Sequence, residues 1–156
     1  MSQSESFTEL FKAAFTHPAI DNHAHPLLRP QSRNVFPFEG IISEAKGEGL
    51  TRDAIHTLAC LRATRQLAKL FGLDEDVSWE DIKAHRASID YMDLCRLCFK
   101  DTNIQCILID DGLAGADLVE GYKWHDQLTP SASKRIIRVE LVAEVTISFK
   151  MKTLCT

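Results

Sequence analysis

No apolar run in this 156-residue chain approaches the roughly 20 residues that a membrane-spanning helix needs. The opening Met1-Ser2-Gln3-Ser4-Glu5-Ser6 lacks the basic region and apolar core of a secretory signal. Basic residues do not cluster either. Eighteen Lys and Arg stand against 22 Asp and Glu, for a net charge of -4, with no basic-aromatic interleaving, so no nucleic-acid partner and no membrane partner is expected. With no export signal, the five cysteines (Cys60, Cys95, Cys98, Cys106 and Cys155) are expected as reduced thiols in a cytoplasmic protein. Cys95 and Cys98 have Cys-x-x-Cys spacing, but they lie inside a helical pattern with no second pair. Small buried side chains are the expected reading there, ahead of a redox or structural-metal pair.

What the chain does have is the composition of a globular protein, 45% hydrophobic and 26% charged, at a length that suits one domain. Its most informative stretch is Ile20-Asp21-Asn22-His23-Ala24-His25-Pro26. In an extended segment from Ala19 to His25, side chains alternate with period two, so His23 and His25 share a face. Pro26 favours an extended His25 and ends the strand where the pair meets solvent. Two neutral imidazoles converging from a strand end form half of a divalent-metal site. The same spacing also occurs on solvated edges and in hydrogen-bonded turns, so the pair needs partners from elsewhere.

Around that strand the periodicity predicts a first helix from Ser4 or Ser6 to about Phe15, with Phe7, Leu10, Phe11 and Ala14 on one face. A long helix follows over Arg52 to Phe71, capped by Thr51 and stopped by Gly72. Another is opened by Ser78 with Asp81 at its third position, and a further one runs from Ser88 or Asp90 to Lys100. Ile104 to Ile109 reads as a strand buried on both faces, ending in Asp110-Asp111-Gly112. Carboxylates there occupy the ligand-facing end of an α/β sheet, although Asp-Gly is also an ordinary turn signal. The loop after it holds Tyr122, Trp124, His125 and Asp126, which either line a pocket or staple the loop. Lys134 to Leu141 is predicted as a third strand, with Arg138 and Glu140 on one face as an ion pair. His17, His56 and His85 have no partner at ligand spacing.

The segments IDNHAHPLL, FEGIISEAKGEGL, YMDLCRLCF, IQCILIDDGL, YKWHDQLTPSASKRIIRVE and LVAE, in that order, resemble the amidohydrolase-like (amidohydrolase-2) domain of the fungal FluG family. The wider group includes amidohydrolase–glutamine synthetase fusions. The resemblance runs to about Glu144 and implies a metal-dependent (β/α)8 barrel of the α/β class, in which His23 and His25 supply two ligands to a divalent ion, commonly zinc. It implies hydrolysis of amide-like C–N bonds in a small-molecule substrate, through metal-activated water. On this reading Asp110, Asp111, His125, Arg138 and Glu140 shape the pocket or orient ligands, and no catalytic residue is assigned. A closed barrel takes about 250 residues, so residues 1–156 are expected to form the incomplete N-terminal part of one such domain. Residues 145–156 depart from the family pattern, as a truncated gene would. Because two histidines alone make a weak site, the metal is expected in the intact domain and not in this chain by itself. The alternative expectation is a catalytically inactive regulatory or interaction module, forming homo- or hetero-oligomers through an open sheet edge.

Overall fold

The computed structural model describes residues 3–112 and 115–144; the atypical stretch 145–156 lies outside them. The chain divides into two compact units, one made of Met1–Leu28 with Thr102–Thr156 and the other of Arg29–Asp101.

The first unit carries a three-stranded parallel sheet in the order β1-β2-β3, with β1 at Ala19–Ala24, β2 at Ile104–Ile109 and β3 at Lys134–Arg135. Its fold class is therefore α/β, and the sheet is open among the described residues. Helix α1 (Gln3–Thr16) precedes β1. The helix ends where Thr16 turns its hydroxyl back to the Lys12 carbonyl (2.8 Å), two residues before Pro18. Asn103 fastens this corner to the sheet. Its backbone takes the left-handed conformation (φ 54°), its side-chain amide donates to the carbonyls of Thr16 and His17, and its own carbonyl accepts from Ala19 N–H. The next residues enter β2, whose Ile107 and Ile109 are the buried apolar centre of the unit.

The pairing of β1 with β2 is not regular. Asp21 faces Ile107 and Ala24 faces Ile109, so β1 spends one more residue than β2 over the same rise. The extra residue falls beside His23, whose N–H is taken by the Asp21 carboxylate (3.2 Å). Bulges of this kind re-aim side chains at strand ends.

The third strand is much shorter than its alternating sequence predicts. Only Lys134 and Arg135 pair, with Leu108 and Ile109, and residues 139–144 are helical. The ladder ends because β2 ends. Among the described residues no strand pairs with Ile137 onward; Ile136 N–H bonds Ile109 O, and Val142 N–H already bonds Arg138 O in helical fashion.

The second unit is helical: α2 (Leu58–Phe71), α3 (Trp79–Ser88) and α4 (Tyr91–Phe99). Cys60, Ala68, Trp79 and Ile82 form its buried centre, with Phe38, Leu67, Phe71 and Val77 packed against it. Phe38 stacks on Trp79 (5.1 Å between ring centres) and carries the Arg86 guanidinium on its outer side (4.6 Å). The predicted continuous helix from Arg52 is broken. Gly49–Asp53 is π-helical, Ala54–His56 is 3-10, and Thr57 is extended (ψ 156°), accepting from Cys60 N–H as the cap of α2. A threonine that offers its hydroxyl to the backbone competes with the helix it would otherwise continue. The other boundaries agree with the sequence. Ser78 and Asp81 form a reciprocal capping box, Asp90 caps α4, and Gly72 closes α2 at φ 68°. Among the described residues, no helix is long and apolar enough to cross a membrane.

Candidate metal centre

The carboxyl ends of β1 and β2 are neighbours, and they bring together three side chains. His23 and His25 come from the end of β1 and Asp110 from the residue just after β2. One ligand atom from each lies within 4.8 Å of the others. The imidazole rings stand 5.3 Å apart, edge to face. His23 Nε2 is 3.5 Å from Asp110 Oδ2. His25 Nδ1 lies 3.2 Å from the Asp110 carbonyl. A carbonyl only accepts, so Nδ1 carries the proton and, in the neutral ring, Nε2 keeps a free lone pair. Fixing a ligating histidine's tautomer through its other nitrogen is how such rings are prepared for a metal.

Asp110 is the buried member of the group, 4% exposed, and its carboxylate is fully engaged. Arg138 grips it from one side: Nε reaches Oδ1 (2.9 Å) and Oδ2 (3.1 Å), and Nη2 reaches Oδ2 (2.6 Å). Gly112 N–H donates to Oδ1 (3.1 Å). The Arg138 hydrogen bonds, then that of Gly112, hold the carboxyl well below the usual carboxylate range, outweighing burial. Asp110 is an anion at any working pH. A Cβ at Gly112 would sit 2.7 Å from Arg138 Cδ and 2.8 Å from Nε, so a side chain there would make the Arg138 arm shift.

The remaining sequence-predicted residues divide. Asp111 pairs with Arg135 (2.8 Å), one residue outward from the Asp110–Arg138 pair. Arg138 is in contact with the cluster, but its main partner is Asp110. The expected Arg138–Glu140 pair survives only as a 3.9 Å contact to an exposed carboxylate. His125 is buried away from the cluster. Its Nε2 accepts from Leu27 N–H (3.0 Å), so Nδ1 carries the proton that it gives to the Gly121 and Tyr122 carbonyls (3.1 and 3.2 Å). Burial lowers its pKa and keeps it neutral. Both nitrogens are thus spent on stapling the loop to the segment just after His25.

Two imidazole nitrogens and one carboxylate oxygen are a donor set that divalent zinc accepts. The expectation that this chain does not itself present a metal site is therefore corrected. A buried carboxylate from the adjacent strand completes a three-donor cluster within the described residues. From the sequence Asp110 reads as an orienting group, not as a candidate donor. The available signal was its place at the end of the strand that pairs beside the histidine strand.

No family model matches the chain, and no solved structure matches it. Among curated proteins, Protein fluG of Emericella nidulans is 43% identical over 139 residues. That match covers 85% of this chain and 16% of the relative, so the chain spans a small part of the protein it resembles.

Proposed function

This chain belongs to the FluG family, and from that premise we propose that it is part of a metal-dependent, amidohydrolase-related domain whose metal is held by His23, His25 and Asp110. The observation that carries the proposal is the convergence of those three donors at the carboxyl ends of adjacent parallel strands, where α/β folds place their chemistry. The parallel order β1-β2-β3, following chain order, supports a (β/α)8 architecture for the whole domain, with the helical unit as an insertion after β1.

Zinc is the preferred ion because its usual donors are imidazole and carboxylate, and when bound it lowers the pKa of water enough to supply hydroxide at neutral pH. The reaction proposed is hydrolysis of an amide-like C–N bond in a small molecule, one water giving a carboxylate and an amine. The chain's residues serve this by position. His25 is oriented through its Nδ1–H, Asp110 is kept ionised by Arg138 and Gly112, and the Asp111–Arg135 pair stands beside Asp110. Among the described residues Cys60, Cys95, Cys98 and Cys106 are free thiols, which supports a reducing setting.

The test is zinc stoichiometry. After dialysis against a weak chelator, the wild-type chain is expected to retain about one zinc, and His23→Ala/His25→Ala none, with unchanged circular dichroism. Equal zinc in both proteins sinks the assignment. A second reading, an interaction module, is supported by α1, whose Phe7, Leu10, Phe11 and Phe15 are 65–70% exposed beside an open sheet. It predicts a stable oligomer in which the double variant assembles as the wild type does.

A further inference from the structure

We infer that Arg138 sets the metal affinity of this site: it is an exchangeable counter-cation that holds Asp110 until a divalent ion displaces it. The inference rests on the metal reading above and extends it to a residue that is no ligand itself.

The geometry carries the argument. Asp110 lies between two claimants. On one side are the two imidazoles, and on the other is a guanidinium making three contacts of 2.6–3.1 Å with both carboxylate oxygens. Oδ2 is shared most directly, with Arg138 Nη2 at 2.6 Å and His23 Nε2 at 3.5 Å. A cation bound by the histidines and Oδ2 shares that oxygen with the guanidinium 2.6 Å away, so metal binding and the hold of Arg138 are coupled.

Two further features suit an exchangeable arm and not a fixed brace. Arg138 has a second acceptor waiting, because its Nη1 is 3.9 Å from the exposed Glu140 carboxylate. It also borders a small cavity of about 100 Å³, lined with Gly112, Arg135, Leu141 and Val142 among others. A Cβ at residue 112 would crowd this arm and make it shift.

In the metal-free chain the same contact prevents a buried carboxylate from standing uncompensated, which would be strongly destabilising. The arginine thus lets the site fold empty, at the expense of affinity once metal is offered.

Two variants separate displacement from support. Arg138→Gln removes the competing charge. Gly112→Ala leaves Arg138 in the chain but crowds its Cδ and Nε at 2.7 and 2.8 Å, and Asp110 Oδ1 less closely at 3.2 Å, so the arm must shift. Zinc affinity of the full chain is read at pH 7 by competition with a chromophoric chelator. Both variants are expected to bind zinc more tightly than wild type, whereas losing a supporting partner behind a metal ligand weakens binding about 10- to 100-fold. In wild type, zinc should also shift the Arg138 Nε–H resonance, which is identified by its loss in Arg138→Gln. If Arg138 instead braces Asp110 for the metal, both variants bind more weakly, and that result overturns the inference while leaving the metal site standing. Equal affinities overturn it as well. Zinc binding by no protein in the set overturns the metal reading and this inference together.

Discussion

Replacing Glu39 by glutamine tests how the helical unit holds itself together. Glu39 is 4% exposed, and its Oε1 accepts from both Trp79 Nε1–H (3.1 Å) and Lys83 Nζ (2.9 Å). Glutamine keeps the shape and an acceptor oxygen and removes the charge. Hydrogen bonds to a charged acceptor contribute about 1.5–3 kcal/mol and neutral ones about 0.5–1.5, so two bonds weaken by about 1 kcal/mol each. Lys83 recovers part of this through Glu80, also 2.9 Å away. The expected loss at pH 7 is therefore about 1–2 kcal/mol, or about 5 °C in Tm. Burial acts to raise the Glu39 pKa, but the Lys83, backbone and Trp79 hydrogen bonds together bring it below the ordinary 4.5. A carboxyl depressed by folding contributes its stability above the unfolded pKa and loses it as pH falls through the folded value. Thermal melts followed by circular dichroism should show a constant gap between wild type and Glu39→Gln from neutral pH to about 5. The gap should close below about 4.5. A gap that persists undiminished to pH 3, or no gap at pH 7, refutes the reasoning.

Ile82→Ala empties a fully buried position beside Trp79 and Cys60 and should cost about 2–5 kcal/mol in urea denaturation. Leu58→Ala, at a side chain that is 60% exposed, should stay within about 0.5 kcal/mol. Thr57→Ala deletes both the cap on Cys60 N–H and the hydroxyl bond to Ala54 O (2.7 Å). It should cost about 0.5–2 kcal/mol and speed hydrogen exchange at the Cys60 amide, where unchanged exchange would count against the cap.

The features legible in the sequence are those set by neighbours along the chain. Ser78 with Asp81, Asp90 before Tyr91, and Gly72 after Phe71 each mark a helix end through bonds spanning at most a few residues. The His23–His25 pair is legible for the same reason, because the two residues lie one apart in the chain and their rings end 5.3 Å from each other. Two boundaries failed because a local competitor or a missing partner decided them. Thr57 captured its own cap, and β3 lost its ladder where β2 ended. The Asp110–Arg138 grip spans 28 residues and crosses from one strand end to the turn after another. No spacing rule reaches that far. The nearer Glu140, two residues from Arg138, was the natural but secondary choice.

The three candidate donors converge without a closed ring of strands among the described residues. Reasoning from strand count treats the ligands of a barrel as spread around its circumference, so that three strands hold too few of them. Here the donors come from two strands that are hydrogen-bonded neighbours, and the only tertiary requirement is the register of β1 against β2. That register is locked at both ends. Asn103 binds the Thr16–His17 corner before the strands begin, and Asp110 N–H donates to Ala24 O (2.9 Å) where they finish. The bulge beside His23 then supplies the one adjustment that a flat ladder lacks. A three-donor cluster is therefore a property of a single strand pair.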